Sequence, residues 1–381
     1  MSRPIRVLHI IGGGEIGGAE IHILDLARHF SPQEVELHLC CLFPAPLLQR
    51  ALKQGVQATA VTMRSKVDIV GFWKVLQLTR QIQPSIVHTH GVRANLVGRL
   101  AAKIAGVRCT VTTVHSVLEN DYPDKLSRWI NYWSEKLTAA LTERHIVVAN
   151  FLKKKLCEQG IAPDKVTVIH NGVDDGKFVD AKRKSDLRAE FGIANDAPLV
   201  GMVGRFHPVK GHKYLIEAAK EILKINSNVR FLLVGDGFNR EMIETVIREE
   251  GLEPFFLLTG FREDIADIYR AIDVLALPSL SEGLSLTLME SMLCECPAVA
   301  TAVGGNPEIV ADEKNGLVIP PGDALALAAA LLRLIENREE SRRFGEAARK
   351  TIEERFTAKR MAERTQNLYR ELLLGRLGVS G

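Results

Sequence analysis

Short apolar runs of strand length alternate with helical patterns along this chain, and the alternation begins afresh half-way. In the first half the runs cover residues 5–11, 36–42, 57–61, 86–88, 110–113, 145–148 and 166–169. Helical patterns such as 21–30, 71–82 and 93–105 lie between most of them. In the second half the runs cover 199–203, 230–234, 256–259, 274–277, 298–301 and 317–319. Helices are expected there at 212–223, 284–292, 324–335, 339–355 and 358–374. Alternation of this kind requires crossover connections, and so predicts parallel sheets covered on both faces. A length of 381 residues exceeds one ordinary core and suits two domains.

Each half opens as strand, glycine loop, helix. The first has Gly12-Gly13-Gly14 and then Gly17-Gly18-Ala19-Glu20; the second has Gly204-Arg205-Phe206-His207-Pro208-Val209-Lys210-Gly211. Glycine lets backbone N–H groups approach an anion at a helix start. A lone glycine cluster is a weak signal, since any strand-to-helix turn uses one. Between the halves, an apolar run meets His170-Asn171-Gly172-Val173-Asp174, where Asn-Gly marks a turn. Charged residues 175–185 read as a linker. The expected domains are therefore 1–174 and 175–356.

The stretch Pro278-Ser-Leu-Ser-Glu-Gly-Leu-Ser-Leu-Thr-Leu-Met-Glu290 carries the sharpest chemistry. Pro278 ends a strand, Ser281 and Gly283 suit a tight loop, and a packed helix is expected from 284. Glu282 and Glu290 then sit at the carboxyl edge of a parallel strand, where open α/β sheets bind ligands. An ionised carboxylate is an acceptor with two oxygens, suited to sugar or ribose hydroxyls. Taken alone, acids there also fit a plain helix-start preference.

Glu282 and Glu290, with seven residues between them and Gly283 after the first, resemble the signature of retaining glycosyltransferases of family 4 (glycosyl transferases group 1). The Asn171–Asp174 segment, the Gly-Arg-x4-Lys-Gly loop, the Gly-Gly-Ala-Glu loop and His115-Ser116 are similar to other segments of that family. Two departures stand out: Ser285 where the family usually has Gly, and Ser291 where it often has Ala. Both are small, so a tolerated change or an altered sugar preference is expected.

The resemblance implies the GT-B fold: two facing Rossmann-like α/β domains with parallel sheets and a deep interdomain cleft. The final helix, about 357–381, would pack back onto the first, acceptor-binding domain. The second would bind a nucleotide sugar, with UDP- or GDP-sugars expected. Arg205 and Lys210 would neutralise the diphosphate, as a planar fork and a point charge can. Glu282 and the backbone of Gly283, Leu284 and Ser285 would meet the sugar, and Glu290 the ribose. Gly235 and Arg262 would line the base pocket, and Gly17 and Gly18 would close over the donor phosphates and the acceptor. His115 would lie close to the transferred sugar; with Glu282, Arg205 and Lys210 it completes the expected catalytic set. A sugar or lipid-linked acceptor is implied, in synthesis of cell-surface polysaccharide, lipopolysaccharide or glycolipid. Three rivals remain: a sugar-nucleotide epimerase of the same fold, a phosphorylase-like enzyme needing a pyridoxal-bearing lysine, and a catalytically silent sugar-nucleotide binder.

The net charge of +3 argues against a dedicated nucleic-acid partner. Six cysteines form no CxxC, and no histidine spacing reads as a zinc site, so buried reduced thiols are expected. No Asp-x-Asp is present, so neither a bridging metal nor any other cofactor is expected. Residues 1–11 do not read as a signal peptide, and no run is long enough to span a bilayer. A cytoplasmic location follows, with peripheral contact at the inner face of the cell membrane. That contact rests on residues 121–141, where Trp129 and Trp133 lie four apart with Leu126, near Tyr122, Tyr132, Lys125, Arg128 and Lys136. Core packing is the expectation for the tryptophans themselves, and Glu119, Asp121, Asp124 and Glu135 dilute the charge. His88 and His90 fall near a strand end and read as packed or capping residues.

Overall fold

A computed structural model describes residues 3–14, 16–65, 68–117, 125–178 and 184–376. The chain divides into two compact units: Met1–Gly172 with Ala358–Gly381, and Val173–Thr357.

In the first unit the strands are β1 (Ile5–Ile11), β2 (Val35–Cys41), β3 (Gln57–Ala60), β4 (Ile86–His90), β5 (Cys109–Val114), β6 (Arg144–Val147) and β7 (Val166–Val168). They form a seven-stranded parallel sheet in the order β3-β2-β1-β4-β5-β6-β7. Central β4 is buried along its whole length, whereas edge strand β3 alternates exposed and half-buried residues. A strand covered on both faces is buried throughout, even where it carries His88, Thr89 and His90, and an edge strand is not. The order reverses between β1 and β4. Doubly wound sheets open a ligand crevice at such a reversal, beyond the carboxyl ends of the two strands. Helix Ala358–Arg376 closes one face, burying Met361, Ala362, Leu368, Tyr369 and Leu372 against Val7, Ile86 and Val111. Truncating one such core leucine costs about 2–5 kcal/mol.

The second unit repeats the plan with β8 (Leu199–Val203), β9 (Arg230–Val234), β10 (Phe256–Gly260), β11 (Val274–Leu277), β12 (Ala298–Thr301) and β13 (Leu317–Ile319). Their order is β10-β9-β8-β11-β12-β13, all parallel, with the reversal between β8 and β11. Two Rossmann-like α/β sheets are therefore present, as the alternation predicts.

Some expectations are corrected. The helix expected from 284 starts at Leu286, because Ser285 has an extended backbone and caps it, its Oγ accepting from Leu288 N–H at 3.3 Å. The expected linker is partly structured: Asp175–Phe178 is a 3₁₀ turn and Lys184–Glu190 a helix, with 179–183 outside the described residues. Short helices such as Arg240–Glu249 carried too little signal, since this one buries just Ile243 and Ile247.

Candidate active site

The loops beyond β8 and β11 meet at the second sheet's reversal. Their backbones touch: Leu280 N–H donates to Val209 C=O at 2.7 Å. Gly211 has φ +76°, and a side chain there would strike the Pro278 carbonyl oxygen at 2.0 Å. Glycine is the residue that permits both the conformation and the approach.

On this platform Lys210 Nζ lies 2.7 Å from Glu282 Oε1, and Ser279 Oγ donates to the same oxygen at 2.7 Å. The carboxylate side chain is only 8% exposed and the ammonium 20%. So enclosed a charge needs its partner, and either group left alone would be strongly destabilising. Gly304 fixes the loop from the other side: a Cβ there, at φ +56°, would meet the Glu282 carbonyl oxygen at 2.0 Å.

Glu290 lies in the second turn of helix Leu286–Leu293, where Tyr269 O–H donates to its Oε2 at 3.0 Å. Burial, then the adjacent carboxylate, hold the Tyr269 phenol well above its ordinary pKa, so it is a neutral donor. Ser291 Oγ donates to Leu288 C=O at 2.9 Å, which accommodates the second departure from the family pattern. Arg205, in the same loop as Lys210, is exposed. Gly235 packs against Gly204, where a Cβ would meet its carbonyl oxygen at 2.0 Å. The Arg262 fork is bound instead to Asp264 (2.5 and 2.8 Å) and Glu190 (2.7 Å), bracing helix Lys184–Glu190.

The reversal of the first sheet is built differently. Parallel register sets His9 of β1 opposite His88 of β4, and His90 opposite Thr113 of β5. His115 follows β5, and His22 comes from helix Gly18–His29. His9 Nδ1 is 3.0 Å from His90 Nε2, and His90 Nδ1 is 3.1 Å from His115 Nε2. His22 Nδ1 donates to Asn171 Oδ1 at 2.9 Å. Removal from water lowers the pKa of all five: His9 to about 3, His22 to about 4, and His88, His90 and His115 well below the ordinary value. The cluster is thus neutral. Gly17 and Gly18 open the helix that carries His22, and Glu20 Oε2 accepts from Gly17 N–H at 3.0 Å.

His9, His22 and Tyr369 had no sequence signal of their own. His88 and His90, expected as packed residues, belong to the same group as His115. What joins them is strand order: β1 lies between β2 and β4, which linear spacing does not reveal.

The core-packing expectation for the tryptophans is overturned: Trp129 is 61% and Trp133 40% exposed. Helix Lys125–Thr138 turns its polar side inward. Buried Arg99 reaches Glu135 Oε2 and Thr138 Oγ1, both at 2.9 Å, and Asn95 Nδ2 donates to Glu135 Oε1 at 2.8 Å. That pairing leaves Trp129, Tyr132, Trp133 and Leu137 facing out, with Lys136 over the Trp133 ring at 5.3 Å. Glu119, Asp121, Tyr122 and Asp124 lie outside the described residues, as do the side chains of Lys125, Leu126 and Arg128. Among the described residues, no helix is long and apolar enough to cross a membrane.

Comparison with known proteins places this fold in a family. Residues 16–177 match the family model "Glycosyltransferase Family 4", and residues 183–351 match "Glycosyl transferases group 1". The chain is 31% identical over 345 residues to the Escherichia coli UDP-Gal:alpha-D-GlcNAc-diphosphoundecaprenol alpha-1,3-galactosyltransferase, covering 88% of this chain and 89% of that one. It is 24% identical over 375 residues to the Bacillus anthracis N-acetyl-alpha-D-glucosaminyl L-malate synthase, covering 95% of each. The crystal structure of Anabaena HepE in complex with UDP-glucose has the same fold, with a TM-score of 0.86 and 23% identity over 96% of this chain and 99% of that one. The chain belongs to the glycosyl transferases group 1 family, whose members here are glycosyltransferases of GT-B fold.

Proposed function

We propose that this glycosyltransferase retains anomeric configuration and moves a sugar from a UDP- or GDP-sugar to a sugar or lipid-linked sugar, in synthesis of cell-surface polysaccharide, lipopolysaccharide or glycolipid. The observation that carries the reading is the array at the second sheet's reversal: Lys210 beside Glu282, and Tyr269 beside Glu290. In the free protein Lys210 and Glu282 satisfy each other. A bound diphosphate gives Lys210 a more highly charged partner, and exposed Arg205 adds a fork to the same anion. Glu282, with the backbone of Gly283, Leu284 and Ser285, then accepts and donates to the sugar, while Glu290 holds the ribose hydroxyls. Gly235 and the Arg262 loop border the base, and Gly17 and Gly18 approach the donor phosphates.

The bond from the anomeric carbon to the phosphate oxygen breaks as the bond to the acceptor oxygen forms on the same face. The departing phosphate takes the acceptor's proton. Arg205 and Lys210 stabilise the charge left on the diphosphate, so no divalent ion and no other cofactor is required. Neutral His115 steadies a sugar hydroxyl or the positive charge at the anomeric carbon, where a cation would repel.

The E. coli relative is named for UDP-Gal and a diphosphoundecaprenol-linked GlcNAc, which supports a nucleotide-sugar donor and a lipid-linked acceptor. The outward aromatic face of Lys125–Thr138 supports peripheral contact of a cytoplasmic protein with the inner face of the cell membrane. A thermal-shift panel of UDP-, GDP-, ADP- and TDP-sugars identifies the donor, since a ligand bound by the folded state raises stability. NMR of the product formed in excess EDTA tests the rest, with the donor's configuration expected to persist. An inverted product overturns retention. Activity lost to EDTA and restored by magnesium or manganese overturns the metal-free leaving-group site. Donor conversion without acceptor favours the epimerase.

A further inference from the structure

We propose that Tyr369, His9 and His90 are positioning residues that fix the tautomer of His115 through one directed chain of hydrogen bonds. The inference rests on the role given to His115 above.

The chain runs through five contacts. Thr113 Oγ1 is 2.7 Å from His88 Nε2, and His88 Nδ1 is 2.5 Å from the Tyr369 hydroxyl. The Tyr369 hydroxyl is 3.2 Å from His9 Nε2, and the two imidazole contacts, at 3.0 and 3.1 Å, lead on to His90 and His115. Every member but His115 is at most 2% exposed. Both ring nitrogens of His88, His9 and His90 are thereby engaged. His115 has one nitrogen in the chain, and its Nδ1 is buried with no partner among the described residues. That nitrogen is the open end.

A neutral imidazole has one N–H and one bare nitrogen. Where two imidazoles meet, one donates and the other accepts. If His90 Nε2–H donates to His9, then His90 Nδ1 is bare and accepts from His115 Nε2–H. His9, accepting at Nδ1, donates from Nε2 to the Tyr369 oxygen, whose own O–H then donates to His88 Nδ1. His88 donates from Nε2 to Thr113. The one other arrangement that keeps every bond and also leaves no ring N–H or phenol O–H without an acceptor reverses all of them. A mixed arrangement leaves buried groups unsatisfied, each costing about 1–3 kcal/mol. The distances choose the sense. The short 2.5 Å contact to His88 suits a phenol O–H donating to nitrogen, and the 3.2 Å contact to His9 suits N–H donating to the phenol. In that sense all four histidines are Nε2–H tautomers, and His115 Nδ1 presents a bare lone pair. Buried as it is, that lone pair acts through space, facing developing positive charge favourably where an N–H would oppose it. Tyr369, on the last helix, thus sets what His115 offers to a substrate.

Two metal-sized triads of histidine nitrogens also occur here, His9-His88-His90 and His22-His90-His115, each within 4.8 Å. A metal would take nitrogens that the chain uses as hydrogen-bond partners, so the two arrangements exclude each other.

The test is ¹⁵N NMR of histidine-labelled full-length protein, with turnover measured beside it. His9, His88, His90 and His115 are each expected as Nε2–H. In Tyr369→Phe, His9 Nε2–H loses its acceptor, the segment from His9 to His115 is free to reverse, and Nδ1–H appears at His115. Turnover should fall about fivefold to tenfold with donor KM within twofold. Mixed tautomers in the wild type, or an unchanged His115 tautomer in folded Tyr369→Phe, overturns the chain. One equivalent of divalent metal retained on purification, and lost in the His9→Gln variant, also overturns it. If Tyr369→Phe fails to fold, Thr113→Val decides, since it removes the acceptor at the far end with little change of volume. A tautomer change without loss of turnover leaves the chain standing and removes His115 from the proposed mechanism.

Discussion

The two sheets reverse strand order in the same way, yet they fill the reversal with opposite chemistry. Beyond β8 and β11 lies a charged, partly exposed group: Lys210 paired with Glu282, and exposed Arg205 in the Lys210 loop. Beyond β1 and β4 lies a buried, neutral one, five histidines tied to Tyr369, Thr113 and Asn171. On the function proposed above, the difference follows from what each edge would meet. A diphosphate is bound by formal positive charge that water can reach until the ligand arrives. Imidazoles stripped of water cannot hold charge, so they supply direction instead of Coulomb energy.

Acid should separate the halves most strongly. His9, His22, His88, His90, His115 and His145 of the first unit are all held below the ordinary imidazole pKa, chiefly by burial; in the second unit His212 is. The unfolded chain therefore binds more protons than the fold below about pH 6.5. Stability from these groups is complete above that pH and is lost as pH falls towards the folded values, about 3 for His9 and about 4 for His22. Each group still neutral in the fold contributes a slope of up to about 1.4 kcal/mol per pH unit. Hydrogen exchange at pH 7.5 and 5.5, corrected for intrinsic rates, should show β1, β4 and β5 losing more protection than β8 and β11. Equal losses would mean that the histidines are already solvated.

Removing the charge on the other side comes next. Lys210→Ala should slow transfer by about 10²–10³-fold, or about 2.7–4 kcal/mol. It should also destabilise the second unit, because Glu282 is left enclosed and unpaired. Adding Glu282→Gln should restore stability without restoring turnover. Recovery of both would assign the pair to folding alone.

A smaller effect is expected at Glu290, proposed above to hold the ribose. Tyr269→Phe removes one hydrogen bond to Glu290 and should raise donor KM about fivefold to tenfold, with turnover nearly unchanged. A fall in turnover at constant KM would move Glu290 from ribose binding to the reaction itself.

The smallest stability change belongs to the outward aromatic face. Trp129→Ser with Trp133→Ser should release the protein from anionic vesicles while shifting stability by only about 0.5 kcal/mol, as exposed positions do. Wild-type protein that ignores vesicles would end the membrane reading. A variant that unfolds would mean these side chains support the fold after all.

By itself the sequence determined the fold class and most of the strands. Predominantly apolar strands need no distant information, so β1, β8, β9, β11, β12 and β13 have the bounds expected, whereas β4 runs two residues further, through Thr89 and His90. The charged edge was legible for a different reason. Arg205, Lys210, Glu282 and Glu290 sit in two contiguous segments that resemble the family's motifs; without that resemblance the two basic residues read as a solvated surface pair and the acids as helix-start residues. Short helices with two buried residues were lost, because two positions do not make a period. Tertiary structure alone decided which face of Lys125–Thr138 is buried, since the outcome turns on Arg99, a residue of another helix, pairing with Glu135. It alone assembled the histidine cluster as well. His9, His22, His88, His90, His115 and Tyr369 share no local spacing. They meet because β1 pairs with β4, β4 with β5, and the last helix covers that sheet, and a buried polar group must find its partner wherever the packing puts one.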